Sequence, residues 1–324
     1  MRSVYIYSPL LSGEDYMTVL EKLFPDGVRN ITVYTRLPKN TTHKHIEGLV
    51  QVQRAFSEKR TVRFRNYAVF EAPPRFGRGL RRALRKNGFS VEIWVNADNP
   101  ETAVKPVRRL ERAGIATKIC VDEKKDQRGV YVHFSALGLP VTFSDPHYTA
   151  ESPDEFDRWL CAPRAIGINT YCDIINMLVM QTYSPNCRHA SCFGSTFYVD
   201  GELRAYLCPY CRDERTLLGS LREAAGVEEL LCSPAVAELL PGAIQRRESC
   251  TSKGCKSFPY CQGGCPLEQV GEGECAHYGA TVERIALRLR EVYREGKLSQ
   301  VNNVVKNAIL NALAFGTAFF DERD

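Results

Sequence analysis

Residues 91–121 read VEIWVNADNPETAVKPVRRLERAGIATKICV. The β-branched and aromatic runs at 91–95 and 117–121 have the length and composition of strands. Between them Asn99 stands where an N-cap belongs, Pro100 occupies the first turn, and Gly114 stops the helix that 101–113 predicts. Strand, helix and strand in this compass make a βαβ unit with parallel strands. Working outward, further strands are predicted at 4–7, 31–35 and 62–70, and further helices at 14–23, 45–56 and 79–86. Thr41 or Thr42 can cap the helix at 45–56, which has Ile46, Leu49, Val50 and Ala55 as its apolar side. The stretches 130–134, 141–143 and 166–170 could add strands. The expectation for 1–183 is an α/β fold, a partial (β/α)6-type parallel barrel.

The texture changes after residue 183. Residues 184–278 are rich in Gly, Pro and Cys, and their only ladder signal is a short hairpin at 196–206 with Asp200-Gly201 as its turn. Eight of the chain's 13 cysteines form the series Cys187, Cys192, Cys208, Cys250, Cys255, Cys261, Cys265 and Cys275, spaced C-x4-C-x15-C and then C-x4-C-x5-C-x3-C-x9-C. Eight thiolates is the number that two four-thiolate iron-sulfur clusters require. A loop-rich segment with so few aliphatic residues is expected to draw stability from metal. From 279 onward the chain turns helical. Val282, Ile285, Ala286, Leu289, Val292 and Tyr293 recur at spacings of three and four, and 301–320 predicts a second helix. Three domains follow: 1–183, 184–278 and 279–324.

Composition sets bounds. Forty-three Lys and Arg against 38 Asp and Glu give a net charge of +5, too mild to require nucleic acid. No apolar stretch reaches the roughly 18 residues of a membrane span. The longest, 304–320, is interrupted by Lys306, Asn307, Asn311 and Gly316. The chain opens on a strand rather than a secretory leader, and so many thiols point to a reducing compartment and to metal rather than disulfides. The cytoplasm is the expected location.

Together with Asp200-Gly201, the Leu218-Gly219-Ser220-Leu221 turn and the Cys261-Gln262-Gly263-Gly264-Cys265-Pro266 loop, the eight cysteines resemble the SPASM domain of radical SAM peptide-modifying enzymes. The resemblance implies two auxiliary [4Fe-4S] clusters. Cys187, Cys192, Cys208 and Cys265 would hold the first, and Cys250, Cys255, Cys261 and Cys275 the second. The family has two residues where four separate Cys250 from Cys255, and four between its glycine and the third cysteine where six separate Gly201 from Cys208. Both departures change loop length and remove no ligand. Full cysteine ligation implies electron transfer or structural support.

The N-terminal half departs further from that family. Radical SAM enzymes carry C-x3-C-x2-C after their first strand, whereas this chain has Ser8-Pro9-Leu10-Leu11-Ser12-Gly13-Glu14-Asp15 there, and its first cysteine is Cys120. Arg36-Leu37-Pro38-Lys39-Asn40 takes the place of the family's glycine-rich stretch. The expectation is a degenerate member of the family that keeps two [4Fe-4S] clusters and uses no S-adenosylmethionine. It would act in the maturation of a ribosomally synthesised peptide, binding the precursor peptide or passing electrons, with a radical SAM enzyme or another redox protein as its heterodimer partner.

Other readings compete. Four cysteines can hold zinc, and Cys208-Pro209-Tyr210-Cys211 has C-x2-C spacing, though zinc sites come as paired C-x2-C units. The same four residues resemble the redox motif of glutaredoxins, which would make Cys208 and Cys211 a thiol-disulfide pair. A purely structural subunit is a third reading. Cys120, Cys161, Cys172 and Cys232 lack partners at ligand spacing and are expected to pack. His189 and His277 neighbour cluster cysteines and are candidates to tune them; His43, His45, His133 and His147 carry no pattern. Arg75, Arg78, Arg81, Arg82, Arg85 and Lys86 form a basic run, either a solvated helix face or a seat for an acidic leader peptide. No Ser-His-Asp, Walker or dinucleotide motif occurs, since Gly77-Arg78-Gly79 lacks a third glycine.

Overall fold

A computed structural model describes residues 3–24, 26–72, 74–95, 101–121, 194–255 and 277–315, with short or single positions at 133–134, 137, 139, 141–143, 160–161, 175, 178, 258, 263–265 and 267. The first nine elements alternate strictly: β1 (Ser3–Pro9), α1 (Gly13–Leu23), β2 (Asn30–Arg36), α2 (His43–Lys59), β3 (Arg63–Phe70), α3 (Arg78–Lys86), β4 (Ser90–Val95), α4 (Glu101–Arg112) and β5 (Thr117–Val121). Each strand from β1 to β5 pairs in parallel with the next. The strand β6 (Val141–Phe143) follows, then β7 (Thr196–Val199), β8 (Arg204–Tyr206) and β9 (Leu217–Ser220). The remaining helices are α5 (Val227–Leu230), α6 (Pro234–Ser252), α7 (His277–Arg294) and α8 (Asn303–Phe315).

The chain divides into two compact units, one of Met1–Asp122, Leu137–Pro140 and Ser191–Glu238, the other of Glu123–Ala136, Val141–Ala190 and Leu239–Asp324. In the first unit the strands lie in the order β5-β4-β3-β2-β1-β7-β8-β9. β7 adds to β1 in parallel, and β8 and β9 continue antiparallel. The hairpin expected in the cysteine-rich stretch therefore extends the parallel sheet. This is the α/β partial-barrel architecture that the sequence predicts.

Local chemistry explains the parallel half. The Ser12 hydroxyl caps α1 by accepting from the Asp15 N–H at 3.1 Å, and the Thr42 N–H donates to His45 Nδ1 at 3.0 Å at the start of α2. Gly114, at φ 70, ends α4. Asn99 and Pro100 lie outside the described residues. On one side of the sheet Val4, Ile6, Ile31, Val33, Ala68, Phe70, Val91, Ile93, Ile119 and Val121 are buried, as are Val19, Leu20, Leu49, Phe56, Leu84, Val107 and Leu110 of the helices. Gln53 of α2 ties this layer together, donating to Tyr16 Oη and to Asn66 Oδ1, each at 2.8 Å, and accepting from Asn66 Nδ2 at 2.9 Å. Asn66 thereby marks the helix-covered face of β3.

Several expectations change. The Asp200-Gly201 turn does not place its glycine in the left-handed region; Leu203 takes φ 62 instead. The Asp200 carboxylate dictates this path, because it accepts from the N–H groups of Glu202 and Arg204, both at 2.9 Å, while Leu203 is drawn into the core. The Leu218–Ser220 stretch, expected as a turn, belongs to β9, where Gly219 has φ 137. The segment after 184 is also richer in structure than its composition suggests. It holds the 19-residue α6, and Leu218, Leu221, Val227, Leu230, Ala235 and Val236 are buried. Pro234 opens that helix as first-turn prolines do, but Pro241 lies inside it and gives the sequence the look of a break. His133 and Phe134 are helical and so do not end a strand over 130–134; the stretch 166–170 lies outside the described residues. In the second unit α7 buries Val282, Ile285, Leu289 and Val292 as expected, while Tyr293 is exposed, and α8 buries Val305, Ile309 and Ala312. Among the described residues no helix is long and apolar enough to cross a membrane.

Candidate functional site

A parallel sheet covered on both faces reads as near-continuous apolar strands. The first unit follows that rule only toward its helices. Side chains alternate along a strand, so the face away from Asn66 presents Tyr5 and Tyr7 of β1, Thr32, Tyr34 and Arg36 of β2, Arg65 and Tyr67 of β3, Glu92 and Trp94 of β4, and Lys118 and Cys120 of β5. Tyr7, Tyr34 and Tyr67 are register partners on three adjacent strands. Their rings stack, with centroids 4.5 Å apart at each step and interplanar angles of 6° and 9°. The Tyr210 ring lies 6.4 Å from Tyr7 at the end of this ladder. On the far side of Tyr7, its partner Tyr198 carries the Arg212 guanidinium over its ring at 4.8 Å.

One step toward the carboxyl ends of the strands, Arg36, Val69, Glu92 and Lys118 form the next row. Glu92 is only 6% exposed, and Lys118 Nζ lies 2.8 Å from its Oε1. The Cys120 thiol donates to Oε2 at 3.9 Å. Burial alone would lower the ammonium pKa of Lys118, but the Glu92 carboxylate outweighs it and holds the group charged. Burial, reinforced by Glu92, pushes the Cys120 thiol far up, so it remains protonated and is no nucleophile. Burial and Glu92 likewise push Tyr34 up, which keeps its phenol a hydrogen-bond donor at neutral pH. The Trp94 indole N–H is buried and finds no acceptor among the described residues. A buried donor without a partner is costly, and this one stands near the carboxyl edge of the strands, where open α/β sheets take their ligands. An ion pair, phenol donors and an unfilled indole donor together suit a polar ligand with acceptor groups.

The cysteine series is described in part. Cys187, Cys192, Cys261 and Cys275, like Cys172, His147 and His189, lie outside the described residues. Among the described residues no three metal-ligating side chains converge, and no disulfide joins the described cysteines. Cys208 is buried just after β8, and its sulfur accepts from the Tyr210 N–H at 3.4 Å, as a ligating thiolate would. Cys250 lies near the end of α6, and the Cys255 N–H donates to its carbonyl at 3.0 Å, which sets both residues on one turn. Cys265 is buried and follows Gly263 and Gly264, at φ 90 and 79, a path that glycine alone takes readily. These thiols fit soft-metal ligation in their chemistry.

The glutaredoxin-like reading fits less well. No helix begins at Cys208-Pro209-Tyr210-Cys211; the next element is a 3-10 turn at Glu214–Thr216. Burial, followed by the hydrogen bond to Asp213, raises the Cys211 thiol, whereas that chemistry needs it lowered. Cys120 is buried as expected, but Cys161 and Cys232 are exposed rather than packed. His45 supports the start of α2, and His277 is the first residue of α7. After β1 the chain passes through Leu10 and Leu11 to the capping Ser12 and offers no thiol. The polar sheet face escaped the sequence reading, although alternation such as Tyr5-x-Tyr7, Glu92-x-Trp94 and Lys118-x-Cys120 within parallel strands was its signal.

Neither a family model nor a curated protein matches the chain. Solved structures do. Native anSMEcpe with bound AdoMet and Kp18Cys peptide is 13% identical, with a TM-score of 0.65 over 95% of this chain and 99% of that one. The same protein with AdoMet and Cp18Cys peptide gives 14% and 0.64 over 95% and 99%, and with AdoMet alone 13% and 0.64 over 94% and 99%. The expectation that no S-adenosylmethionine is involved is overturned, because these neighbours were crystallised with AdoMet bound. The likeness also lends no support to calling the N-terminal half degenerate. What it establishes is the fold, which this chain shares with these AdoMet-bound neighbours.

Proposed function

We propose that this chain acts in the cytoplasm in the maturation of a ribosomally synthesised peptide. The polar face of the parallel sheet would receive the peptide, with AdoMet beside it, and the cysteine loops would hold two [4Fe-4S] clusters. The observation that carries the reading is the face itself: a stacked tyrosine ladder, a buried Glu92–Lys118 pair and an unfilled Trp94 donor. They lie at the ligand-taking edge of a fold whose solved neighbours hold AdoMet and peptide.

In this reading the tyrosine hydroxyls and the Trp94 N–H orient carbonyl groups of the peptide, Lys118 and Glu92 fix a charged end, and the stacked rings keep water from one side of the bound chain. The first cluster would be held by Cys187, Cys192, Cys208 and Cys265, the second by Cys250, Cys255, Cys261 and Cys275. Such clusters supply electron transfer and tie loops together. The loop after β1 offers no thiol for a further cluster. A radical SAM enzyme or another redox protein is the proposed electron partner.

The test is metal and acid-labile sulfide analysis of protein purified without oxygen, together with equilibrium dialysis against labelled AdoMet. About eight iron and eight sulfide per chain, with absorption that bleaches under dithionite, is the expected result. Cys208→Ser should lower iron to about four per chain, whereas Cys211→Ser should leave it unchanged. Stoichiometric zinc without sulfide would replace this reading with a zinc-stabilised peptide-binding protein.

A further inference from the structure

The helix α3 reads Arg-Gly-Leu-Arg-Arg-Ala-Leu-Arg-Lys, and its apolar residues Leu80, Ala83 and Leu84 are buried. The other side is cationic. Arg78, Arg82, Arg85 and Lys86 are exposed and Arg81 is half-buried, and these five, with Ala113 just past α4, line a shallow surface groove of about 560 Å³. Exposed Arg75 precedes them.

Among the described residues, cations elsewhere in the unit divide between those with a carboxylate partner and those without, such as Arg29, Arg54 and Arg109, but on α3 five without one share a single short helix. Arg36, Lys59, Arg60, Arg204, Arg215 and Arg222 each pair with a carboxylate. Among the described residues none of the cations on α3 does; Arg81 donates instead to the Phe76 carbonyl at 2.9 Å. Helix stability accounts for only part of the arrangement, since Arg85 and Lys86 stand in the last turn, where the macrodipole favours cations. The helix has no acidic residue in its first turn, where the macrodipole favours one, and Arg78 stands at that positive end. The pairs Arg78 and Arg82, Arg81 and Arg85, and Arg82 and Lys86 each set like charges one turn apart, which opposes the helix further. Five unpaired cations kept at a cost to the helix indicate an anionic occupant.

We propose that the α3 groove binds an acidic segment of a peptide, with carboxylates spaced along an extended chain meeting the arginine forks. Nucleic acid suits the groove less, because its lining offers no aromatic ring on which a base could stack and it spans a single short helix. The proposal relies on the peptide-maturation reading only for the identity of the partner, since the groove is the site whatever supplies the peptide.

The test measures fluorescence anisotropy of a labelled ten-residue Asp/Glu-rich peptide, and of a Gln/Ser-rich control, on the anaerobically purified full chain without added AdoMet. The acidic probe should bind at least about tenfold more tightly than the control and weaken about tenfold between ~50 mM and ~300 mM salt. The charge reversal Arg82→Glu with Arg85→Glu should abolish the preference, and Arg82→Gln with Arg85→Gln should weaken it severalfold with an unchanged circular dichroism spectrum. Equal binding of both peptides, or a preference indifferent to both double variants, overturns the proposal. A labelled oligothymidylate that binds more tightly than the acidic peptide and loses affinity in the same variants overturns it in favour of nucleic acid. Loss of binding here with iron and sulfide intact would refute the groove alone, and the reverse would refute the functional reading alone.

Discussion

The parallel strands β1–β5 and the antiparallel extension β7–β9 belong to one sheet, yet they are fixed by different means. β1 to β5 run five to eight residues and press one face into a layer of fully buried Val, Ile, Leu and Phe under four helices. The extension has strands of four, three and four residues, and its pairing shifts register between Ala205 and Tyr206. Its turn is held by one carboxylate, because Asp200 accepts from two backbone N–H groups, from Arg204 Nε at 2.8 Å and from Tyr206 Oη at 3.2 Å. Area secures the first region and directed hydrogen bonds secure the second. The loop that carries Cys208 leaves from the second, so its position depends on the contacts most easily undone.

The largest test of this contrast is Phe70→Ala. Phe70 is fully buried and packs edge-on against Phe76, so the change should cost about 3–5 kcal/mol by urea denaturation and lower both regions together. Asp200→Ala should cost about 2 kcal/mol and act locally. Hydrogen exchange should quicken at Glu202 and Arg204 while β2 and β3 keep their protection; loss of protection throughout would mean that the two regions are not separable. Lys118→Met leaves the buried Glu92 carboxylate without its cation and should cost about 1–2 kcal/mol, moderated because Lys118 is 39% exposed. Adding Glu92→Gln should recover part of that loss; additive losses would show that the pair is not coupled.

Acid gives a gentler test. Asp200 is partly desolvated, which would raise its pKa, but the hydrogen bonds led by Arg204 prevail and hold it below the usual carboxylate range. Its contribution is therefore complete above the unfolded aspartate value near ~3.9 and is lost as pH falls through the lower folded value. The Glu202 and Arg204 amide resonances should stay fixed from pH 7 to 5 and move together only in stronger acid. Smallest of all in stability is Tyr34→Phe. It keeps the stacked ring and should change stability by less than about 0.5 kcal/mol while weakening peptide binding severalfold. An unchanged affinity would take the phenol row out of the site.

The βα alternation was legible because its signals are local. Ser12, Thr42 and Gly114 act within a turn of where they stand, and the apolar spacing of each helix is read without knowing its neighbours. The helix α6 was hidden by Pro241-Gly242, whose breaker chemistry was outweighed by the helical residues on either side. Leu203 in the left-handed region could not be foreseen either, since burial of its side chain and the reach of the Asp200 carboxylate decide it, and both depend on tertiary placement. The cysteine spacing yielded a ligand set by resemblance. The polar face needed the register of five strands, which no single window of sequence contains.

That register has a consequence for how the sheet assembles. Tyr7, Tyr34 and Tyr67 stack only when β1, β2 and β3 are aligned as they are. Sliding β3 by one residue would drive Tyr67 into the layer where Asn66 meets Gln53 and would turn Asn66 out among the rings. A slip of one residue is thus penalised on both faces at once, and the three rings act during folding as a vernier against such slips between adjacent strands.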